Sequence, residues 1–238
     1  MSFKNKFPQF SFFLFICLIY LIRIFAWASA DLNHDEALTL GMYCHSLDGE
    51  YLSFFNIFRN YTLANNHFLS SACYWLWLKV LFFHSNSFLV RFPSLFFAFF
   101  TLWVIYAKWG KHIEKFYSFV MALVFASGFI YNSFSYQVRG YSMSMFLSAC
   151  IVYYILEILK RRAEKGQFML CFLLFLQPLI MPSAAIIAVA STMIIFIYFY
   201  YTEKNVFTAL KWSLPGLLCA ILSASYYLTL GEQLTIAA

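Results

Sequence analysis

The feature that most constrains this chain is a succession of long apolar runs divided by short polar stretches. The runs fall at about 10–30, 68–83, 92–107, 116–134, 141–159, 168–180, 183–201 and 209–230. A membrane-crossing helix needs about 20 mostly apolar residues, with about 17 at the lower end. Hydrophobic residues make up 63% of the chain and charged residues 11%, so a soluble core cannot hide the apolar surface and the excess must face lipid. The net charge of +6 does not point to nucleic acid, because the basic residues gather at the ends of apolar runs, the pattern of membrane topology. The expected fold class is an all-α polytopic membrane protein.

Two runs, 68–83 and 168–180, are short for a span, and charge decides the first. If 68–83 lies flat on the outer surface, the inner loops hold Lys4, Lys6, Lys108, Lys111, Lys115, Lys160, Arg161, Arg162, Lys165, Lys204 and Lys211. The outer side then holds only Arg59, Lys79, Arg91 and Arg139, with Arg23 inside the first span. If 68–83 crosses instead, Lys108, Lys111, Lys115 and the "KRRAEK" cluster move outside, against the positive-inside rule. The second short run, in "FMLCFLLFLQPLIMPSAAII", is broken by Pro178 and Pro182, while the charges flanking it both favour the inside. The chain must therefore go out and return, turning near "QPLIMPS"; neighbouring helices can cover the freed backbone groups.

The expected architecture is one module of about seven spans over residues 1–238, with the N-terminus inside and "GEQLTIAA" outside. A first outer loop of about 31–90 carries interfacial helices. One of them, "HFLSSACYWLWLKVLFF", holds Tyr74, Trp75 and Trp77, residue types enriched at headgroup depth. The first run is longer than the apolar segment of a signal peptide, in spite of "AWASA", and reads as a retained span. The six cysteines show no CxxC or CxxH spacing and read as buried free thiols.

Three polar groups fall on the outer side at similar depth. They are His34-Asp35-Glu36, with Asp31 one helical turn earlier; Asn65-Asn66-His67; and "SYQVRGYS", Ser135 to Ser142, whose only charge is Arg139. Each has a plain account: solvated acids beyond a span, an asparagine helix cap, an arginine on lipid phosphate. Their shared side and depth weigh against coincidence, since ionisable groups at membrane depth are costly and mark function. Arg23 reads as an arginine snorkelling to the interface. A carboxylate can take a proton from an attacking hydroxyl, and an arginine can hold an anionic leaving group. Together they suit transfer of a group from a phosphorylated lipid to an outer-face acceptor. His34 and His67 lack a tight ligand motif, so no metal site is assigned, although a divalent cation stays open as a cofactor.

The segments "HDEA", "NNHFLSSACYWLWLKVLFF", "NSFLVRFPS" and "SYQVRGYSMSMFLSACIVYYIL" resemble, in that order, the protein O-mannosyltransferase superfamily. These are integral-membrane glycosyltransferases of the GT-C fold, and the superfamily includes the transferase that adds aminoarabinose to lipid A. The resemblance runs from about residue 10 to about residue 200. It implies Asp35 as the base beside Glu36, and it implies substrate contacts for His67, Asn66, Arg139, Tyr141 and His34. It also implies inversion, a polyprenyl- or dolichyl-phosphate sugar donor, and a glycan, lipid or protein acceptor. The absence of a Gly-rich phosphate loop fits such a donor. The chain departs from the family pattern in lacking the prolines after His67 and in having Gln137 where many members have an acid. The C-terminal half usual in the family is also absent, which suggests a truncated frame, a minimal enzyme, or a half needing a partner subunit that supplies the missing spans. The expected location is a bacterial inner membrane, among membrane lipids, with the site on the outer face. The alternatives are a multi-pass transporter or lipid flippase, which would show broken helices in both halves of an internal repeat, and a non-catalytic subunit.

Overall fold

The computed structural model describes residues 7–44, 52–59, 67–81, 86–161 and 164–230. Among these residues every regular element is helical. Helix α1 (Phe7–Ser29) buries only a stripe spaced four apart, Ile16, Tyr20, Ile24 and Ala28. Most of its other described residues are exposed and apolar, Arg23 being the charged exception, as on a peripheral helix facing lipid. Next come α2 (His34–Tyr43), a one-turn α3 (Asn56–Arg59), α4 (Phe68–Leu81) and a one-turn α5 (Ser87–Val90). Helix α6 (Phe92–Trp103) begins with Pro93 in its first turn, where a missing N–H costs nothing. It winds on into a π-helical turn, Val104–Lys108, and a 3-10 turn, Trp109–Lys111. Helices α7 (Lys115–Ser127) and α8 (Phe129–Ser135) are bent by 64° at Gly128. The chain then runs through α9 (Tyr141–Arg161), α10 (Glu164–Ile180), a 3-10 turn at Pro182–Ala184, α11 (Ala185–Glu203), α12 (Val206–Ala224) and a final 3-10 segment, Ser225–Leu230.

Among the described residues, five helices are long and apolar enough to cross a membrane: Phe10–Ser29, Phe92–Lys111, Tyr141–Lys160, Pro182–Glu203 and Val206–Tyr227. The bent pair α7–α8 makes a sixth if it counts as one span. This is the helix content of an integral multi-pass membrane protein. Of the seven spans expected from the sequence, the remaining one coincides with α10, which has 17 residues and Pro178 inside it. The segment expected to lie flat at 68–83 is helical as α4, whose 14 described residues are fewer than the about 17 of a short span.

Helix α9 lies between the two main apolar clusters. One joins it to α10, α11 and α12 through Met143, Ile151, Ile158, Leu174, Ile195, Phe199 and Trp212. The other joins it to α1, α6, α7 and α8 through Ala149, Tyr20, Leu102, Ala122 and Tyr131. The N-terminus of α9 therefore emerges at the middle of one end of the bundle, directly after residues 136–140. All six cysteines are free thiols, and Cys44 is buried with its thiol pushed up to about 12 by desolvation.

Candidate functional site

The site is organised from the start of α2. Asn33 caps the helix: its Oδ1 accepts the Glu36 N–H at 2.9 Å, and Glu36 Oε2 accepts the Asn33 N–H at 2.9 Å. This reciprocal capping box satisfies two free donors and places Asp35 and Glu36 where the helix dipole favours negative charge. Neighbouring residues on a helix point about 100° apart, and here the two carboxylates separate completely. Glu36 is fully buried, while the Asp35 side chain is 51% exposed.

Glu36 meets Arg91, itself 1% exposed, across 55 positions of sequence. Arg91 Nε donates to Oε1 at 2.9 Å and Nη2 donates to Oε2 at 2.6 Å. The remaining N–H groups donate to carbonyls at the end of α1: Nη1 to Trp27, Ala28 and Ala30, and Nη2 to Asp31. Arg91 thus fills the carbonyl acceptors that a helix leaves open at its C-terminus and ties them to α2. Glu36 Oε1 also accepts the Val138 N–H at 2.8 Å. With both oxygens occupied and no exposed surface, Glu36 has nothing to offer an acceptor. It holds α1, α2 and the 136–140 turn together.

That turn is clamped a second time. Ser94 donates to the Gln137 carbonyl and accepts the Tyr74 hydroxyl, which lies 3.5 Å from the same carbonyl, and the Gln137 side chain donates to the Ser133 carbonyl. The next residue but one, Arg139, is thereby presented to Asp35, with Nη1 to Oδ2 at 2.9 Å. Its guanidinium carbon lies 5.0 Å from the centre of the Tyr141 ring, within cation–π range. His67 packs edge-on to the same ring, with centroids 5.6 Å apart.

His67 is buried, and desolvation, with Arg139 nearby, lowers its pKa to about 4, against a smaller opposing effect from the Ile180 carbonyl. The imidazole is neutral at neutral pH. Its Nδ1 has no hydrogen-bond partner and lies against Gly140, where a Cβ would stand 2.5 Å from Nδ1 and 2.7 Å from Ile180 Cγ2. Only glycine lets the start of α9 approach His67 and the end of α10 so closely.

The structure therefore brings together Asp35, Arg139, Tyr141 and His67 at one end of the bundle, with Glu36 beneath them. His34 opens α2 on the exposed surface and has no side-chain partner among the described residues. Asn66 lies outside the described residues. Sequence reasoning missed Arg91 as a structural partner, although a lone arginine directly before a Pro-started helix was a signal. It also missed the Tyr74–Ser94 clamp and the packing role of Gly140. Among the described residues no three His, Cys, Asp or Glu side chains converge to hold a metal. Comparison with protein-family models, curated proteins and solved structures finds no match.

Chemically, the site offers a half-exposed carboxylate, a guanidinium that can serve an anion, an aromatic face and a neutral imidazole. All four stand on a rigid, hydrogen-bonded support.

Proposed function

We propose that the chain is a membrane glycosyltransferase that moves a sugar from a polyprenyl-phosphate-type donor to an acceptor on the outer face. The observation that carries this is the contact between Asp35 and Arg139, 104 residues apart in sequence: a proton acceptor and an anion holder share one exposed corner. The ordered resemblance of the sequence segments to the GT-C glycosyltransferases supports it. The distribution of basic residues supports seven spans, with α10 as the short one, and the site on the outer side.

In the transfer, an acceptor hydroxyl attacks the anomeric carbon and its proton passes to Asp35. The carbon–oxygen bond to phosphate breaks, and the lipid phosphate leaves with its charge held by Arg139. An arginine carries five N–H donors in a fixed fork, so it can meet a carboxylate and a phosphate together. Tyr141 backs the guanidinium, and Glu36 acts as a positioning residue through Val138.

The test compares cells lacking the protein with cells carrying the native chain or Asp35→Asn, by mass spectrometry of envelope glycans and lipids. One sugar mass is lost on deletion and restored by the native chain. The asparagine variant, expressed at the same level, is slower by about 10²- to 10⁴-fold. Full restoration by Asp35→Asn, or no change on deletion, refutes the assignment.

A further inference from the structure

The end of the bundle opposite the candidate site holds a second arrangement that glycosyl transfer does not use. After Trp103 the helix widens into the π-helical turn Val104–Lys108. In an α-helix, residues five apart point about 140° from one another. The wider turn closes i→i+5 hydrogen bonds, and such turns recur at functional sites. Here it swings Lys108 back over the Trp103 ring, with Nζ 4.9 Å from the centroid and 5.9 Å from that of Tyr153.

Lys108 is half-buried, and no described carboxylate lies within ion-pair distance of it. Glu157, which meets the same Tyr153, is already engaged: it lies 3.0 Å from His112 Nε2 and accepts the Tyr153 hydroxyl at 3.0 Å. Lys160, which donates to the His112 carbonyl, adds a further positive charge. The cluster therefore has an excess of cations.

Trp103 also lines an open groove of about 250 Å³ together with Phe13, Phe99 and Phe100, between α1 and the second half of α6. The same π-helical turn places Tyr106 against Phe13, with rings stacked and centroids 6.0 Å apart. Trp103 is thus shared between an apolar groove and a cation that has no ion-pair partner among the described residues. A charge at membrane depth needs a partner, and basic pockets between transmembrane helices suit lipid head groups.

We propose that this groove binds an anionic phospholipid of the leaflet opposite the candidate site, with an acyl chain against Phe13, Phe99, Phe100 and Trp103 and the phosphate on Lys108. A free anion would satisfy the lysine and leave the groove unexplained. A zwitterionic lipid would fill the groove, but the ammonium of its own head group already balances its phosphate and leaves the charge of the lysine uncompensated.

The test reconstitutes the full chain into phosphatidylcholine nanodiscs doped with acyl-brominated phosphatidylglycerol or acyl-brominated phosphatidylcholine. The Trp103 share of fluorescence quenching is obtained by difference from Trp103→Phe. Phosphatidylglycerol quenches that share at a mole fraction about fivefold lower than phosphatidylcholine, the ratio expected when one lysine meets a net anionic head group in place of a zwitterionic one. Lys108→Gln removes the preference, Lys108→Arg keeps it, and excess inorganic phosphate does not displace the lipid. Equal quenching by the two lipids in the native chain overturns the proposal. So does an unchanged preference in Lys108→Gln, and displacement by inorganic phosphate would assign Lys108 to a soluble anion instead.

Discussion

Replacing Glu36 by glutamine exchanges one oxygen for an amide nitrogen and removes a charge, yet it should be among the most damaging substitutions in the chain. Each carboxylate oxygen accepts two N–H groups: Oε1 from Arg91 and Val138, and Oε2 from Arg91 and Asn33. Whichever way the amide turns, its NH₂ faces two donors and loses both bonds. Arg91 meanwhile stays charged and 1% exposed, with only carbonyls around it. Removing one partner of a buried ion pair costs about 3–5 kcal/mol. At about 2–4 °C per kcal/mol for a chain of this length, the thermal midpoint falls by about 6–20 °C. Unfolding in mild detergent can be followed with a thiol-reactive dye, because all six cysteines are free and Cys44 is buried. A midpoint for Glu36→Gln within about 2 °C of the native chain refutes the structural role. A cycle with Glu36→Leu, Arg91→Met and the double variant gives an independent check. The double variant should lose less than the sum of the singles by about 1 kcal/mol or more, and strict additivity would mean that the two side chains do not meet.

Gly140→Ala forces a Cβ to 2.5 Å from His67 Nδ1; an overpacking cost of about 1–3 kcal/mol is expected in the same thermal assay. Gly41→Ala is the matched control: it sits inside α2 with nothing within 4 Å of the added Cβ, so it should stabilise by about 0.5–1 kcal/mol, and similar effects from both variants would sink the packing argument. His67 makes stability pH-dependent. Its pKa is lowered from 6.5 to about 4 on folding, so the unfolded chain binds more protons between those values, and stability falls as pH drops from 6.5 towards 4, by about 3 kcal/mol in total. His67→Gln should flatten that part of the curve, and an identical pH dependence in both proteins would count against the buried neutral imidazole. A topology reporter fused after Ser85 should read on the outer face and one after Gly110 on the inner; the same side for both would break the positive-inside assignment.

Much of the fold was legible because lipid imposes a simple rule: apolar runs become helices, and basic residues mark their ends. Charge alone set 68–83 apart from the spans, and the described part of that run, α4, is 14 residues long. The bend at Gly128 was not legible, because the run at 116–134 is continuous in hydrophobicity and its break is a backbone event, with Gly128 extended at φ −70° and ψ 134°. The π-helical turn after Trp103 was equally silent in the sequence. Of the site, Asp35, Arg139, Tyr141 and His67 stood out as polar residues among apolar ones. Arg91 did not, because its meaning lies in Glu36 and in four carbonyls, and carbonyls have no sequence signature.

The two acids of "NHDEALTL" show how burial assigns different work to neighbouring, chemically similar residues. Both face an arginine, at 2.6 Å for Glu36 and 2.9 Å for Asp35. Glu36 and Arg91 are almost wholly out of water, so removing either partner alone leaves an uncompensated buried charge. Asp35 is half in water, and an exposed ion pair is worth about 0–1 kcal/mol. In the proposed transfer, an arriving phosphate could therefore compete for Arg139 at little cost and leave the Asp35 carboxylate beside the acceptor. The capping box sends one carboxylate inward and the other outward, and the inward pair holds the turn that carries the outward arginine. On the proposed function, a variant that loosens Glu36 should for that reason impair transfer even at temperatures where the chain remains folded.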